Sequence, residues 1–345
     1  MQKAEGRKNI LDFTPDELSE IITGLGEQKF RAAQVFGWLA KGATGYDEMT
    51  NVPGSLREKL AAEFYIGLPE AVSIQESKDG TVKCLFRFGE DTEVESVFMK
   101  YEYGNSICIS SQSGCRMGCA FCASTMEGLD RSLTGGEMLA QVLAMRRITG
   151  SDIGHVVIMG MGEPFDNYEE VSRFIRLIHD RRGYDLGLRN ITVSTCGIIP
   201  KIRDFAKDFP QVNLAVSLHA PDQEIRQKSM PVARKYGYDE LMDACREYTE
   251  ITGRRITFEY AVIDGFNDSP ACAEELAGHL RGWLTHVNLI PLNEVEGRSY
   301  KTANGKSVKR FKDILEKNGV AVTVRRTLGN DIDAACGQLR RRHAC

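Results

Sequence analysis

Apolar residues recur at spacings of three and four in the first part of the chain, the pattern of helices with one buried face. Within residues 14–64 this spacing runs through the segments LSEIITGL and FRAAQVFGWLA. Thr14-Pro15-Asp16-Glu17 precedes the first segment and has the composition of a helix start with a capping box. The pattern predicts a helical accessory domain, which we place over residues 1–70.

The period changes to alternation over residues 72–100, in VSIQESKDGTVKCLFRF and TEVESVFMKY. Alternation indicates strands with one buried face, and Asp79-Gly80 suits a tight hairpin turn because glycine adopts positive φ without strain. We therefore predict a short β-hairpin linker over residues 71–100.

The rest of the chain alternates short apolar strands with amphipathic helices, which predicts parallel strands joined by helical crossovers. The strand candidates are SICISS, HVVIMGM, NITVST, VNLAVSL, RITFEYAVI, HVNLIPL and AVTVRRT. The helix candidates run from Thr134 to Ile148, Tyr168 to His179, Tyr238 to Ile251 and Pro270 to Trp283. The fold class is α/β, closed or partly closed as a barrel over residues 101–335.

In such a barrel the chemistry lies where the parallel strands end. Polar or glycine-rich residues do follow the strand candidates here. They are Ser111-Gln112-Ser113-Gly114, Gly162-Glu163-Pro164, Ser194-Thr195, Ser217-Leu218-His219 and Asn293. The sequence therefore places a candidate site at one end of the barrel.

Composition narrows the class of protein only moderately. The chain has 345 residues, 42% hydrophobic and 27% charged, and a formal net charge of −4, which argues against an overall basic nucleic-acid coat. Two basic stretches remain, residues 298–312 and the arginines at 340–342; taken alone they indicate a solvated helix face and a chain end. With no apolar run long enough for a membrane span or signal peptide, we expect a cytoplasmic protein without membrane contact.

Three of the ten cysteines are clustered, in GCRMGCAFCAS directly after a strand. Cys115, Cys119 and Cys122 can converge on a metal, but a structural zinc site needs four ligands and no second CxxC pair follows. A four-iron cluster held by three cysteines leaves one iron open to a cofactor, and Phe121 would shield it. Five others, Cys84, Cys196, Cys245, Cys272 and Cys345, are candidates for plain burial.

The C-x3-C-x2-C spacing after the first strand of a βα barrel resembles the radical S-adenosylmethionine (SAM) superfamily. Further segments resemble the RlmN/Cfr family of RNA methyltransferases and, with Pro164 and Pro291, its RlmN branch. They are CISSQSGC, MGMGEP, ITVSTCGIIPKI, VNLAVSLHAP, FEYAVIDGFNDS, HVNLIPLN and VTVRRTLGNDIDAACGQL. The resemblance implies a partial (β/α)6 barrel of TIM type and an N-terminal domain that binds RNA.

The resemblance also implies the reaction, methylation of C2 of adenine 2503 in 23S ribosomal RNA and of adenine 37 in transfer RNAs. One SAM methylates Cys336, in the tail at residues 336–345, and a second is cleaved at the [4Fe-4S] cluster to a radical that activates this methyl group. The methylene carbon then adds to the base. Cys108 is the implied resolving thiol, which forms a transient disulfide with Cys336, and Glu95 the implied proton acceptor.

The implied SAM contacts are Gly162, Glu163, Ser194, Ser217, Leu218, His219 and Asn293, with Cys196 structural. Flavodoxin or ferredoxin is the expected electron donor, and a monomer the expected state. Taken alone, Cys108, Glu95 and His219 equally suit a buried strand thiol, an exposed strand acid and a structural histidine. Two other functions stay open: a Cfr-type enzyme that methylates C8, and a non-catalytic iron–sulfur or zinc module that binds RNA.

Overall fold

The computed structural model describes residues 6–326, 328–329 and 331–332. Its first part is helical, as predicted, with β1 at Lys8–Asn9, α1 at Pro15–Gly24, α2 at Arg31–Ala40, α3 at Gly54–Glu63 and β2 at Phe64–Tyr65. The predicted capping box is present: the Glu17 amide donates to the Thr14 hydroxyl, and the Thr14 amide donates to the Glu17 carboxylate. The same carboxylate accepts from Arg173 at 2.8 Å, which ties α1 to a helix of the core.

The alternating segment forms three antiparallel strands, β3 at Glu70–Glu76, β4 at Val82–Phe88 and β5 at Thr92–Tyr101. The turn between β3 and β4 contains Asp79-Gly80, and Gly80 has φ of +82°, the conformation for which glycine was expected. Because β5 also pairs with the next strand, these strands extend the main sheet.

The core contains six β/α units followed by one further parallel strand, which confirms the (β/α)6 expectation. In chain order its elements are β6 at Gly104–Ile109, β7 at Gln112–Gly114, β8 at Leu129–Ser132, α4 at Gly135–Thr149, β9 at His155–Ile158, α5 at Tyr168–His179, β10 at Ile191–Thr195, α6 at Ile199–Asp208, β11 at Asn213–Ser217, α7 at Gln223–Ser229, α8 at Tyr238–Thr252, β12 at Ile256–Val262, α9 at Pro270–Leu280, β13 at Thr285–Pro291, α10 at Gly305–Lys317 and β14 at Ala321–Val324. Helix α9 ends three residues before the predicted Trp283, because Arg281 leaves the helical conformation and Gly282 has φ of +89°.

The sheet has ten strands in the order β14-β13-β12-β11-β10-β9-β6-β5-β4-β3. Neighbours from β14 to β6 are parallel, so their carboxyl ends meet at one edge. Phe174, Phe205 and Phe258 are fully buried between the helices and the sheet, and each such side chain contributes about 1.5–3 kcal/mol. In the part of the chain that the model describes, no helix has the length and apolar character needed to cross a membrane.

Helix α4 follows the loop that carries the clustered cysteines, and its start depends on a second capping box at Thr134 and Glu137. We expect Thr134→Ala to lower the free energy of unfolding by about 1 kcal/mol, because an orphan amide loses its acceptor. Urea denaturation followed by circular dichroism measures this change. Thr50→Ala, in an exposed turn, is the control; equal loss in both variants would contradict the capping role.

Candidate active site

A cavity of about 270 Å³ lies at the carboxyl ends of the parallel strands. Strands β9 to β13 and the loops after them all contribute, so the sheet curves around it. Of the predicted site residues, the cavity lining includes Cys115, Cys119, Cys122, Gly162, Glu163, Ser194, Ser217, His219 and Asn293. Nine residues from five separate sequence segments therefore meet in one place.

The loop that carries the three cysteines is held by main-chain contacts. The Cys115 amide donates to the Gly128 carbonyl at 2.9 Å, and the Thr125 hydroxyl donates to the carbonyls of Cys119 and Cys122. Gly114, with φ of +75°, passes so close to Gly128 that a Cβ would lie 2.0 Å from its carbonyl oxygen. A side chain at position 114 would therefore push the two strands of this loop apart.

The donor set fits an iron–sulfur cluster. Burial raises the pKa of the Cys115 thiol to about 12, so a thiolate there depends on a metal to stabilise it. Among the described residues, no three His, Cys, Asp or Glu side chains are placed to hold a single metal ion. A four-iron cluster binds its thiolates through different iron atoms and so accepts a wider spacing than one ion does.

A buried cation accompanies the thiols. Arg226 is fully buried and donates through Nη2 to the Cys196 carbonyl at 2.6 Å. Its Nε and Nη1 find no acceptor among the described residues, and its charge acts on the thiols of Cys119 and Cys196. An uncompensated guanidinium beside the cysteine loop suits a site that holds an anionic cluster.

Glu163 is enclosed by protein donors. One carboxylate oxygen accepts from the Thr195 hydroxyl at 2.6 Å and from the Phe165 amide at 3.0 Å, and the other accepts from the Cys196 amide at 2.7 Å. Burial raises the pKa of Glu163, while these hydrogen bonds oppose the shift. The Cys196 thiol also donates to this carboxylate, so protein donors occupy about all four of its acceptor positions.

Gly162 precedes Glu163 and has φ of +104°. A Cβ at this position would lie 2.6 Å from the Gln112 Cβ, and Gln112 accepts the Glu163 amide through its side chain. Glycine is therefore required here both by the backbone conformation and by space.

His219 has a left-handed backbone with φ of +55°, which is unusual outside glycine and is typical of functional sites. Its Nδ1 accepts from the Ala261 amide at 2.9 Å, so the ring proton is on Nε2. Burial, with a smaller effect of Arg226, lowers the pKa of His219 to about 3. The ring is a neutral hydrogen-bond donor packed edge-on against Phe121.

The remaining predicted contacts differ in exposure. Ser194 and Ser217 are half-buried on the cavity wall, and Asn293 is exposed at its edge. Leu218 is fully buried in the main core and does not line the cavity; its amide donates to the Glu259 carbonyl. Any contact of Leu218 with a ligand would therefore use its main chain.

Cys108 and Glu95 lie outside the cavity lining, on the adjacent strands β6 and β5. Both are buried, at 9% and 2% exposure. Glu95 forms an ion pair with Lys83 at 2.9 Å, so it is not the exposed acid that its sequence alone allowed. Cys336 lies outside the described residues, and the predicted pairing of Cys108 with Cys336 stays a prediction.

Several residues at the site were not found from the sequence. Glu259 and Arg325 line the cavity, and Glu259 accepts from Asn288 at 2.9 Å. Arg298, assigned from sequence to a basic surface run, instead donates to the Cys122 carbonyl and the Thr125 hydroxyl. The sequence contained one sign that Lys83 is unusual, because it is a lysine in an otherwise mostly apolar strand. Its partner, Glu95, lies on the next strand and could not be assigned from the sequence.

The other cysteines agree with plain burial where they are described: Cys84, Cys196, Cys245 and Cys272 are buried and form no disulfide. Cys196 also packs against Cys119 and Met230 beneath the cysteine loop. Cys345 lies outside the described residues.

The fold and the cysteine loop define a radical SAM protein. The Radical SAM superfamily matches residues 109–274, which implies a [4Fe-4S] cluster and SAM, and the ribosomal RNA large subunit methyltransferase N-terminal domain matches residues 8–66. A solved radical SAM methyltransferase from Sphaerobacter thermophilus superposes with a TM-score of 0.92 at 45% identity, over 96% of this chain and 98% of that one.

Curated relatives specify the family. A probable dual-specificity RNA methyltransferase RlmN of Clostridium novyi is 50% identical over 97% of this chain and 98% of its own length. The relative of the same name in Lachnospira eligens is 51% identical over 97% of this chain and 96% of its own. The chain therefore belongs to the RlmN family of radical SAM RNA methyltransferases.

Gly162 provides a test of the cavity. We expect Gly162→Ala to raise the Kd for SAM at least tenfold. The added Cβ would displace Gln112 and Glu163, and a loss of only ~1.4 kcal/mol of binding free energy raises the Kd tenfold. Iron content should stay unchanged, since the three cysteines are on another loop. Equilibrium dialysis of anaerobically reconstituted protein measures the Kd for SAM, and an iron assay of the same protein measures its iron content. Gly278→Ala, where a Cβ meets open space, is the control; unchanged binding by Gly162→Ala would contradict the assignment.

Proposed function

We propose that this chain methylates C2 of an adenine in 23S ribosomal RNA, adenine 2503 of the peptidyl-transferase centre, and of adenine 37 in transfer RNAs. The observation that carries the proposal is the single cavity in which the three cysteines meet the polar ends of five strands, in a chain that matches RlmN relatives over nearly its whole length. Two SAM molecules are used per turnover.

Cys115, Cys119 and Cys122 would hold the [4Fe-4S] cluster, next to which SAM would bind. Gly162 and Glu163 bind the methionyl ammonium, because the turn at Gly162 brings main-chain groups and the buried Glu163 carboxylate to the cavity wall. His219 donates from Nε2, and Ser194, Ser217, Asn293 and the main chain of Leu218 complete the contacts. Cluster and SAM supply the methyl group and the one-electron chemistry that the non-acidic C2 position requires.

The reaction proceeds through Cys336, which carries the methyl group and links transiently to the base. Glu95 accepts the ring proton. Cys108 then attacks the sulfur of Cys336 and frees the methylated RNA, leaving a disulfide between the two cysteines.

RNA binding involves the N-terminal helical region and the basic helix α10. Lys306, Lys309 and Arg310 are exposed on α10 and suit phosphate contacts, whereas Lys301 and Lys312 pair with Glu294 and Glu316. The buried chemistry requires an adenine turned out of its stack, which favours RNA not yet assembled into a ribosome. The chain acts in the cytoplasm as a monomer, with flavodoxin or ferredoxin as electron donor.

The position of the methyl group tests the proposal. Anaerobically reconstituted protein with SAM, a reductant and 23S ribosomal RNA should yield 2-methyladenosine, detected by mass spectrometry of the digested RNA. Cys115→Ala is the control, because it removes a cluster ligand and should abolish the product. Methylation at C8 would identify a Cfr-type enzyme, and iron-free protein after reconstitution would favour a non-catalytic RNA-binding module.

Variants that remove either of the two thiols outside the cluster loop, Cys108 and Cys336, should stop the reaction at different steps. Cys336→Ala should lack the protein-bound methyl group and leave RNA unmodified, whereas Cys108→Ala should accumulate RNA covalently attached to protein. Denaturing electrophoresis of labelled RNA separates the two outcomes, with Cys245→Ala, deep in the core, as the thiol control. Multiple turnover by Cys108→Ala would refute its assignment as the resolving thiol.

A further inference from the structure

Lys83 is among the most deeply buried large side chains of the molecule and has no role in the chemistry described above. It lies on β4 with no exposed surface, and its Nζ is 2.9 Å from the Glu95 carboxylate, which is 1% exposed. Most neighbours of Lys83 along β4 are apolar and buried, including Val82, Cys84 and Leu85.

Stability does not account for this ion pair. Two charges taken out of water lose hydration that their mutual attraction repays only in part, and apolar pairs of similar volume stabilise a fold as well or better. A buried lysine paired with a candidate catalytic carboxylate therefore points to the chemistry of the site.

The register brings the same ammonium towards Cys108. Lys83 lies opposite Val97 on β5, and Val97 lies opposite Cys108 on β6, so Lys83 and Cys108 are in one cross-strand row on one face of the sheet. Glu95, two residues from Val97, is on this face as well. Lys83 thus shares one face of the sheet with both Glu95 and Cys108.

Charges on several elements act on the Cys108 thiol. Burial raises the pKa of Cys108, and Arg325 and Lys83 oppose the rise, while Glu95 adds to it. Tyr101, further along β5, also interacts with Cys108. Arg325 lines the cavity, so one of the two positive groups that act on Cys108 also borders the space in which a ligand would bind.

We propose that Lys83 is a positioning residue for release of the RNA, holding the Glu95 carboxylate in place and stabilising the thiolate of Cys108 as it attacks. This role rests on the proposed function. In the step, a sulfur–sulfur bond forms between Cys108 and Cys336, and the bond from Cys336 sulfur to the methylene carbon breaks. Its electron pair stays on the carbon, which takes a proton from water and becomes the methyl group. An external dithiol reductant then returns both cysteines to thiols.

The test uses the full chain with its cluster, and the variants Lys83→Met and Lys83→Arg. Lys83→Met should keep iron content and methylation of Cys336 within twofold of wild type, because both precede release. The protein–RNA adduct should accumulate, and its single-turnover release should slow by about tenfold for each pKa unit that the Cys108 thiolate loses in stabilisation. The slowed release should recover as the pH rises, since a higher pH restores the thiolate, and Lys83→Arg should restore most of the rate.

Two further variants separate positioning from folding. Lys100→Met, on the exposed end of β5, controls for removal of a lysine from this sheet. The double variant Lys83→Met with Glu95→Gln removes both buried charges. It should therefore fold even if Lys83→Met alone does not, because no unpaired Glu95 charge remains in the interior. It too should accumulate adduct.

The outcomes are distinguishable. Adduct release by Lys83→Met at the wild-type rate and with an unshifted pH profile would overturn the role of Lys83 while leaving the proposed function intact. Release by the double variant at the wild-type rate would overturn the role of Lys83 and the assignment of Glu95 as proton acceptor together. Equal loss of iron, Cys336 methylation and release in Lys83→Met and the double variant would show a purely structural role. A wild-type chain that forms neither adduct nor methylated RNA would overturn the proposed function and this role with it.

Discussion

The carboxylate of Glu163 connects three separate parts of the site. It accepts from the Thr195 hydroxyl and the Cys196 amide at the end of β10, and from the Phe165 amide in its own turn. The Glu163 amide in turn donates to Gln112, just before the cysteine loop. A buried carboxylate is stable only with several donors, so each of these segments has one allowed position relative to the others. The shape of the cavity depends on this constraint.

The interior of the sheet contains more charge than a core needs for stability. The Lys83 and Glu95 pair, the Arg226 guanidinium beside the cysteine loop and the Glu259 carboxylate are all buried within a fold that has ample apolar core elsewhere. Buried charges cost free energy and persist in proteins where they serve chemistry. Their positions agree with the two separate roles that we propose. The cluster and cofactor bind at the strand ends, and the groups that release the RNA lie between β4 and β6.

The loop after β13 joins the cavity to the cysteine loop. Asn293 and Val295 line the cavity, and Arg298 reaches the Cys122 carbonyl and the Thr125 hydroxyl. Its place in a basic run predicted a solvated helix face, but this arginine instead helps to hold the cysteine loop in position. The neighbouring basic residues on α10 remain exposed, so the basic run divides into one structural arginine and an exposed helix, for which we propose RNA contact.

Interactions between residues close in the sequence determine many elements of this structure, so the sequence alone predicts them. Hydrophobic periodicity and capping residues place the helices within a few residues, as at Thr134 and Glu137, because these signals act within one helical turn. The cysteine spacing and the polar strand ends likewise identify the site, since parallel strands bring their carboxyl ends together. Tertiary structure alone decided the pairing of Lys83 with Glu95, the three donors to Glu163 and the position of Arg298. Each depends on strand register or on loops distant in the sequence, and no local pattern encodes those distances.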